Sequence, residues 1–66
     1  MKVKVNGKER ELSEGASVKD LLTSMGLGED GIAVARNNKL VSKNDWETTA
    51  VSEGDEYIII NAAYGG

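Results

Sequence analysis

The sequence predicts an α+β domain, a mixed sheet of four to five strands with one main helix against one face, and three observations carry the prediction. Lys2-Val3-Lys4-Val5 alternates charged and apolar residues with the period of two of a half-buried strand, then meets Asn6-Gly7. Val18, Leu21, Leu22 and Met25 recur at helical spacing. Tyr57-Ile58-Ile59-Ile60 is a short unbroken apolar run, the strongest strand signal in the chain.

Taken in order, the first strand is followed by Asn6-Gly7, a pair that tolerates the positive φ of a tight hairpin. A return strand is expected from about Lys8 to Ser13, carrying Leu12 inward. Glu14-Gly15 breaks that pattern. Ser17 then has the character of an N-cap, with Asp20 at the third helical position and Ala16 placed to meet Leu21. The helix buries its apolar stripe, turns Lys19, Asp20, Thr23 and Ser24 to water, and ends at Gly26 in a left-handed conformation. After the polar connector Gly28 to Gly31, Ile32-Ala33-Val34-Ala35-Arg36 reads as a strand, Asn37-Asn38 as a second turn and Lys39-Leu40-Val41 as a short strand. Ser42 to Glu47 forms one helical turn or a tight loop, capped by Asn44 or Ser42, in which Trp46 plugs the end of the core. Glu53 to Glu56 is a turn into the final strand.

That strand is apolar at every position and belongs at the centre of the sheet, covered on both faces. Pairing it in parallel with the first strand gives the order 2-1-5-3-4, with the helix in the long crossover that a parallel pair requires. This is the β-grasp, or ubiquitin-like, arrangement. The helix covers one face of the last strand, and a partner protein is the expected cover for the other.

Composition narrows the chemistry. A chain of 66 residues holds one modest core, burying only about 60% of the surface of its unfolded form. It has no cysteine and no histidine, which removes thiolate and imidazole nucleophiles, bases and metal ligands. A net charge of -3 opposes nucleic-acid binding, and the longest apolar run is far short of a bilayer span. No charged-then-apolar leader is visible, so a cytoplasmic protein is expected.

The sequence closes on Gly65-Gly66. Two glycines without Cβ atoms can thread an extended backbone through a narrow slot and leave a terminal carboxyl open to attack, so the Gly66 carboxylate is the candidate reactive group. The alternative is a loose terminus without a role. The division expected is a domain over 1–62 and a flexible tail over 63–66.

Several features together resemble the ThiS family of ubiquitin-like sulfur carriers of thiamin biosynthesis, over the whole chain. They are the β-grasp order, Lys2 to Gly7, Ser17 to Leu22, Ile32 to Ala35 with Leu40-Val41, the basic-x-x-Trp element Lys43 to Trp46, Gly54-Asp55 and Gly65-Gly66. Asn38, Arg36 and Tyr64 depart from the usual pattern, where glycine, an aliphatic residue and a small residue are common. The resemblance implies that a ThiF-like enzyme uses ATP to adenylate Gly66. A persulfide on another protein then displaces AMP, and the resulting thiocarboxylate gives its sulfur to a ThiG-like thiazole synthase. It implies no catalytic residue, metal or bound cofactor in this chain. The tail residues Tyr64 and Gly65 would be gripped by the activating enzyme, and Ile58, Ile60 and Ala62 would form the partner interface, with Tyr57 and Ile59 turned to the helix. Three other readings share the fold: a MoaD-like carrier for molybdopterin, a ubiquitin-like protein modifier, and a β-grasp binding module without tail chemistry.

Overall fold

The computed structural model describes residues 1–28 and 30–61. Five strands form one sheet: β1 (Lys2–Val5), β2 (Lys8–Glu11), β3 (Ile32–Arg36), β4 (Lys39–Val41) and β5 (Glu56–Asn61). Their order is β2-β1-β5-β3-β4, as the hydrophobic pattern predicts. β1 and β5 pair in parallel, and the other three pairs are antiparallel. The helix α1 (Val18–Ser24) buries Val18, Leu21 and Leu22 beneath Val3, Val5, Val34, Tyr57 and Ile59 of the sheet.

Both hairpins turn on residues with positive φ: Asn6 and Gly7 at 52° and 85°, Asn37 and Asn38 at 48° and 72°. Two consecutive left-handed residues match the right-handed twist of paired strands, and asparagine tolerates that conformation better than most residues. Asn38 therefore takes the left-handed conformation of the turn without a glycine.

The helix is held at both ends by an accounted set of hydrogen bonds. Of its orphan amides, Asp20 N donates to Ser17 Oγ at 3.1 Å, while the Asp20 carboxylate accepts from Ser17 N at 2.9 Å, a complete capping box. Val18 N and Lys19 N donate to the carbonyls of Thr49 and Trp46, each at 3.0 Å, so the segment after β4 closes the helix start. At the other end Leu27 N reaches Leu22 O and Gly26 N reaches Thr23 O, each at 3.0 Å, with Gly26 at φ 75°. These are the paired bonds of a Schellman terminus.

Trp46 is 2% exposed and its indole Nε1 donates to Val41 O at 3.1 Å, which satisfies the polar edge of a ring placed in the core. The turn before it is a 3₁₀ helix over Lys43–Asp45. Ser42 occupies its N-cap position but makes no side-chain cap bond, so neither expected cap operates through its side chain as foreseen; the turn is closed by Asp45 N donating to Ser42 O at 2.8 Å.

The last strand meets the helix with one face and leaves the other open, as expected of a strand whose outer face has no helix to cover it. Tyr57 and Ile59 are buried, whereas Ile58 and Ile60 lie on the face opposite the helix. The outward parity of Ile58 and Ile60 is the one the family resemblance implies.

Asp55 lies at the entry to β5 and is 6% exposed. Its Oδ2 accepts from Arg36 Nε and Ser52 N, each at 2.8 Å, and from the Tyr57 hydroxyl at 2.9 Å; its Oδ1 accepts from Asn37 Nδ2 at 3.2 Å. Burial pushes the carboxyl pKa up, but the four donors outweigh it and hold the group below the ordinary carboxylate range. Burial, then the bond to Asp55, pushes the Tyr57 hydroxyl well above its usual value. Arg36 is therefore the cation that pairs this carboxylate. Among the described residues no buried side-chain nitrogen or oxygen lacks a hydrogen-bond partner.

Asp55→Ala leaves the Tyr57 hydroxyl and Ser52 amide without their acceptor, and a loss of about 2–4 kcal/mol in urea denaturation is expected. Because the folded pKa is depressed, the carboxylate's contribution is fully present above the ordinary aspartate value near 4 and is lost as pH falls through the native value. The wild-type chain should therefore lose more stability than Asp55→Ala on going from about pH 5 to pH 2; parallel profiles would show that Asp55 is not the linked group.

Candidate functional site

The open face of the sheet is divided along its length. Residues directly opposite one another in a ladder share a face. Ala33 stands opposite Ile60, and Ala35 stands opposite both Ile58 on one side and Leu40 on the other. Val34 points to the helix, so these five residues share the open face. Ile58, Ile60 and Leu40 are 50%, 57% and 78% exposed. The alanines between them are too short to cover them, and the isoleucines stand above a floor of methyl groups.

The other half of this face is charged. Lys2 pairs with Glu11 and Lys4 with Glu9 across the β1–β2 hairpin, and Lys4 lies beside Glu56 of β5. Opposite charges set face to face stabilise that half in water and leave it with little apolar surface to offer. The open face therefore presents an apolar strip over β5, β3 and β4, bordered by an ionic strip over β1 and β2. Exposed apolar patches of this kind commonly mark protein–protein contacts, which makes this strip the candidate functional site.

Of the residues proposed from sequence, Ile58 and Ile60 come together in this strip. Ala62, Tyr64, Gly65 and Gly66 lie outside the described residues, as does the proposed boundary between domain and tail. Leu40 is the member that sequence reading missed. Its signal is parity: once β3 is placed between β5 and β4 with Val34 inward, the residue opposite Ala35 must face outward.

Among the described carboxylates Asp55 is the one whose pKa is clearly displaced, and such a group often marks an active site. Here its acceptor capacity is taken up by Arg36, Asn37, Ser52 and Tyr57, and it joins parts of the fold rather than facing a substrate. Among the described residues no group of three or more His, Cys, Asp or Glu could hold a metal ion. No helix among them is long and apolar enough to cross a membrane.

Comparison with known proteins places this geometry. A family model described as the ThiS family matches residues 3–66. The chain is 36% identical over all its 66 residues to a thiazole synthase of Paramagnetospirillum magneticum, and spans 20% of that protein's length. A second thiazole synthase, from Magnetococcus marinus, is matched over the same share of its length. The chain is 26% identical, over the whole of both chains, to the sulfur carrier protein ThiS of Escherichia coli. In fold it is similar to the crystal structure of the thiamine biosynthesis protein ThiS from Geobacter metallireducens, with a TM-score of 0.80 over 91% of each chain at 24% identity.

Alternation along β5 predicts opposite responses at adjacent positions. Ile60→Asp should leave unfolding free energy within about 1 kcal/mol of wild type, because the side chain is already half in water. Ile59→Ala should cost about 2–4 kcal/mol through loss of a buried side chain. Chemical denaturation of the two variants measures both, and a reversed order would place the open face on the wrong side of the strand.

Proposed function

The chain belongs to the ThiS family, and on that premise we propose that it is a sulfur carrier for thiazole formation in thiamin biosynthesis, with Gly66 as the site at which sulfur is carried. The observation that carries the reading is the apolar strip on β5, the strand that ends at Asn61, five positions before Gly66 in the sequence. A carrier needs a surface that successive enzymes can grip and a carboxyl that reaches into their active sites, and it needs no acid, base or nucleophile of its own. The chain has neither histidine nor cysteine, in keeping with such a division of labour.

The chemistry follows from the poor reactivity of a carboxylate. Its oxygen is a bad leaving group at neutral pH. In the proposed reaction the Gly66 carboxylate attacks the α-phosphorus of ATP on a ThiF-like adenylating enzyme, and pyrophosphate leaves. The outer sulfur of a protein persulfide then attacks the acyl carbon and AMP leaves. A second thiol cleaves the sulfur–sulfur bond of the acyl disulfide, and Gly66 is left as a thiocarboxylate. That group is a softer and stronger nucleophile than the carboxylate and delivers its sulfur to a thiazole synthase. ATP belongs to the activating enzyme, and this chain binds no cofactor in the scheme. Thiazole synthase is favoured as the acceptor because the domain also matches part of two longer proteins of that name. The strip of Ile58, Ile60 and Leu40 docks the enzymes, and Ala62, Tyr64 and Gly65 are the residues they would grip between strand and carboxyl.

Incubation with ATP, a ThiF-like enzyme and a persulfide donor should replace one oxygen of the chain by sulfur, seen by intact-mass spectrometry and mapped to Gly66. Deletion of Gly66 should abolish the change without lowering the melting temperature, and Ile60→Asp should raise KM for adenylation roughly tenfold or more by weakening docking. An unchanged mass with an enzyme shown to be active overturns the carrier reading, and a covalent adduct with a protein lysine would replace it by that of a modifier.

A further inference from the structure

Asn6 and Asn37 open the two hairpin turns in the same way. Each is the first of two left-handed residues, at φ 52° and 48°, and each directs its side-chain amide toward β5. Asn6 Oδ1 accepts from Ile59 N at 2.9 Å, and Asn6 Nδ2 donates to Ile59 O at 3.1 Å. Asn37 Oδ1 accepts from Glu56 N at 3.0 Å, and Asn37 Nδ2 donates to Asp55 Oδ1 at 3.2 Å. The second residues of the turns differ: Gly7 at φ 85° in one, Asn38 at 72° in the other. Packing does not require that glycine, since a Cβ at Gly7 would meet no atom within 4 Å. Asn38 shows that asparagine serves at the equivalent position.

The difference is a chemical one. An asparagine side chain loses its amide when the backbone nitrogen of the next residue attacks Cγ. A bond forms between that nitrogen and Cγ, the Cγ–Nδ2 bond breaks, the proton of the attacking nitrogen leaves with Nδ2 as ammonia, and a cyclic imide remains. Water then opens the imide at either carbonyl, giving aspartate or its β-linked isomer. Glycine obstructs the ring closure least, because no Cβ crowds the nitrogen and its backbone rotates freely. Asn6-Gly7 is the one Asn-Gly pair in the sequence, and Asn6 is exposed to water. In the folded chain, however, both polar atoms of the Asn6 amide are engaged by Ile59, and the two bonds fix the amide plane. The nitrogen must attack from above that plane, so Cγ has to turn over Gly7 N and give up both bonds. The backbone of the turn is held as well, by the pairing of Val5 with Lys8 on either side of it. We propose that Asn6-Gly7 is a site of spontaneous deamidation gated by the fold: the amide is protected while it is bonded to Ile59 and reacts only in molecules in which that contact has opened. The change is one-way. A carboxylate has no donor for Ile59 O, and the β-linked isomer lengthens the main chain of a two-residue turn, so neither product rebuilds the native rung. The chain thus keeps a chemical record of how often its first hairpin has parted from β5.

The test incubates the full-length chain in mildly alkaline heavy-oxygen water, folded and in unfolding guanidinium chloride, and locates the labelled carboxyl by peptide mass spectrometry. In the unfolded chain Asn6 should react before every other asparagine. In the folded chain it should react more slowly by roughly tenfold or more, as expected when two hydrogen bonds must first be given up. Guanidinium chloride below the unfolding transition should raise the folded-state rate in step with hydrogen exchange at the Ile59 amide, since Asn6 is the partner of that amide and both processes report one opening. Gly7→Asn, which copies the second turn, should lose most of the reaction; the comparison is read in guanidinium chloride and so holds whether or not the variant folds. Equal rates in the folded and unfolded chain overturn the proposal, because the bonds to Ile59 then give no protection. A folded-state rate that stays constant while Ile59 exchange quickens also overturns it, by separating the reaction from the opening. Earlier reaction at another asparagine of the unfolded chain, or an undiminished rate in Gly7→Asn, overturns the assignment to Asn6-Gly7.

Discussion

The carboxylate of Asp55 is the joint on which the arrangement depends. One side chain receives Arg36 from the end of β3, Asn37 from the β3–β4 turn, Ser52 from the loop that closes the helix start, and Tyr57 from β5. A buried charge is costly unless its lone pairs are filled, and here they are filled by groups from different parts of the chain. The need to satisfy that charge selects one relative placement of β3, β5 and the preceding loop. Asn37 reinforces it, since its Oδ1 accepts from Glu56 N at 3.0 Å while its Nδ2 serves Asp55. With β5 placed, the parity of the strand places the rest: Tyr57 and Ile59 under the helix, Ile58 and Ile60 on the open face.

Much of this was legible in the sequence because short-range chemistry encodes it. Asn6-Gly7, Ser17 with Asp20, and Gly26 each specify a local geometry, and each takes the conformation its chemistry favours. The strand order followed from one long-range deduction, that the most apolar strand belongs in the middle. What escaped was chemistry between segments distant in sequence. Asp55 read as a turn residue because its partners Arg36 and Asn37 lie almost twenty positions earlier, and nothing local announces them. Leu40 read as an ordinary strand residue because its exposure depends on which strand lies beside it. Asn6 read as a turn former because Ile59, its partner, is at the far end of the chain. Ser42 showed the reverse case: a residue with capping chemistry, at a cap position, whose side chain makes no cap bond.

The two halves of the open face have different physical roles. Paired lysines and glutamates on β1 and β2 keep that side hydrated and set a border at which an apolar partner must stop. The isoleucines and Leu40 offer area without direction, since apolar contact alone does not fix an orientation. Charge at the border can supply the orientation that apolar contact lacks.

The order of the strands also governs when the molecule can exist during synthesis. β5 follows the other four described strands in the sequence, yet it separates β1 from β3, and its pairing joins Lys4 to Glu56, fifty-two positions apart. Until it emerges from the ribosome, the two hairpins have no strand between them, and two-stranded hairpins are marginal alone in water. Contacts of such separation form late and slowly. The same strand that completes the core also bears the exposed isoleucines of the apolar strip. A chain interrupted before β5 therefore lacks both the strand that joins the two hairpins and the isoleucines of the open face.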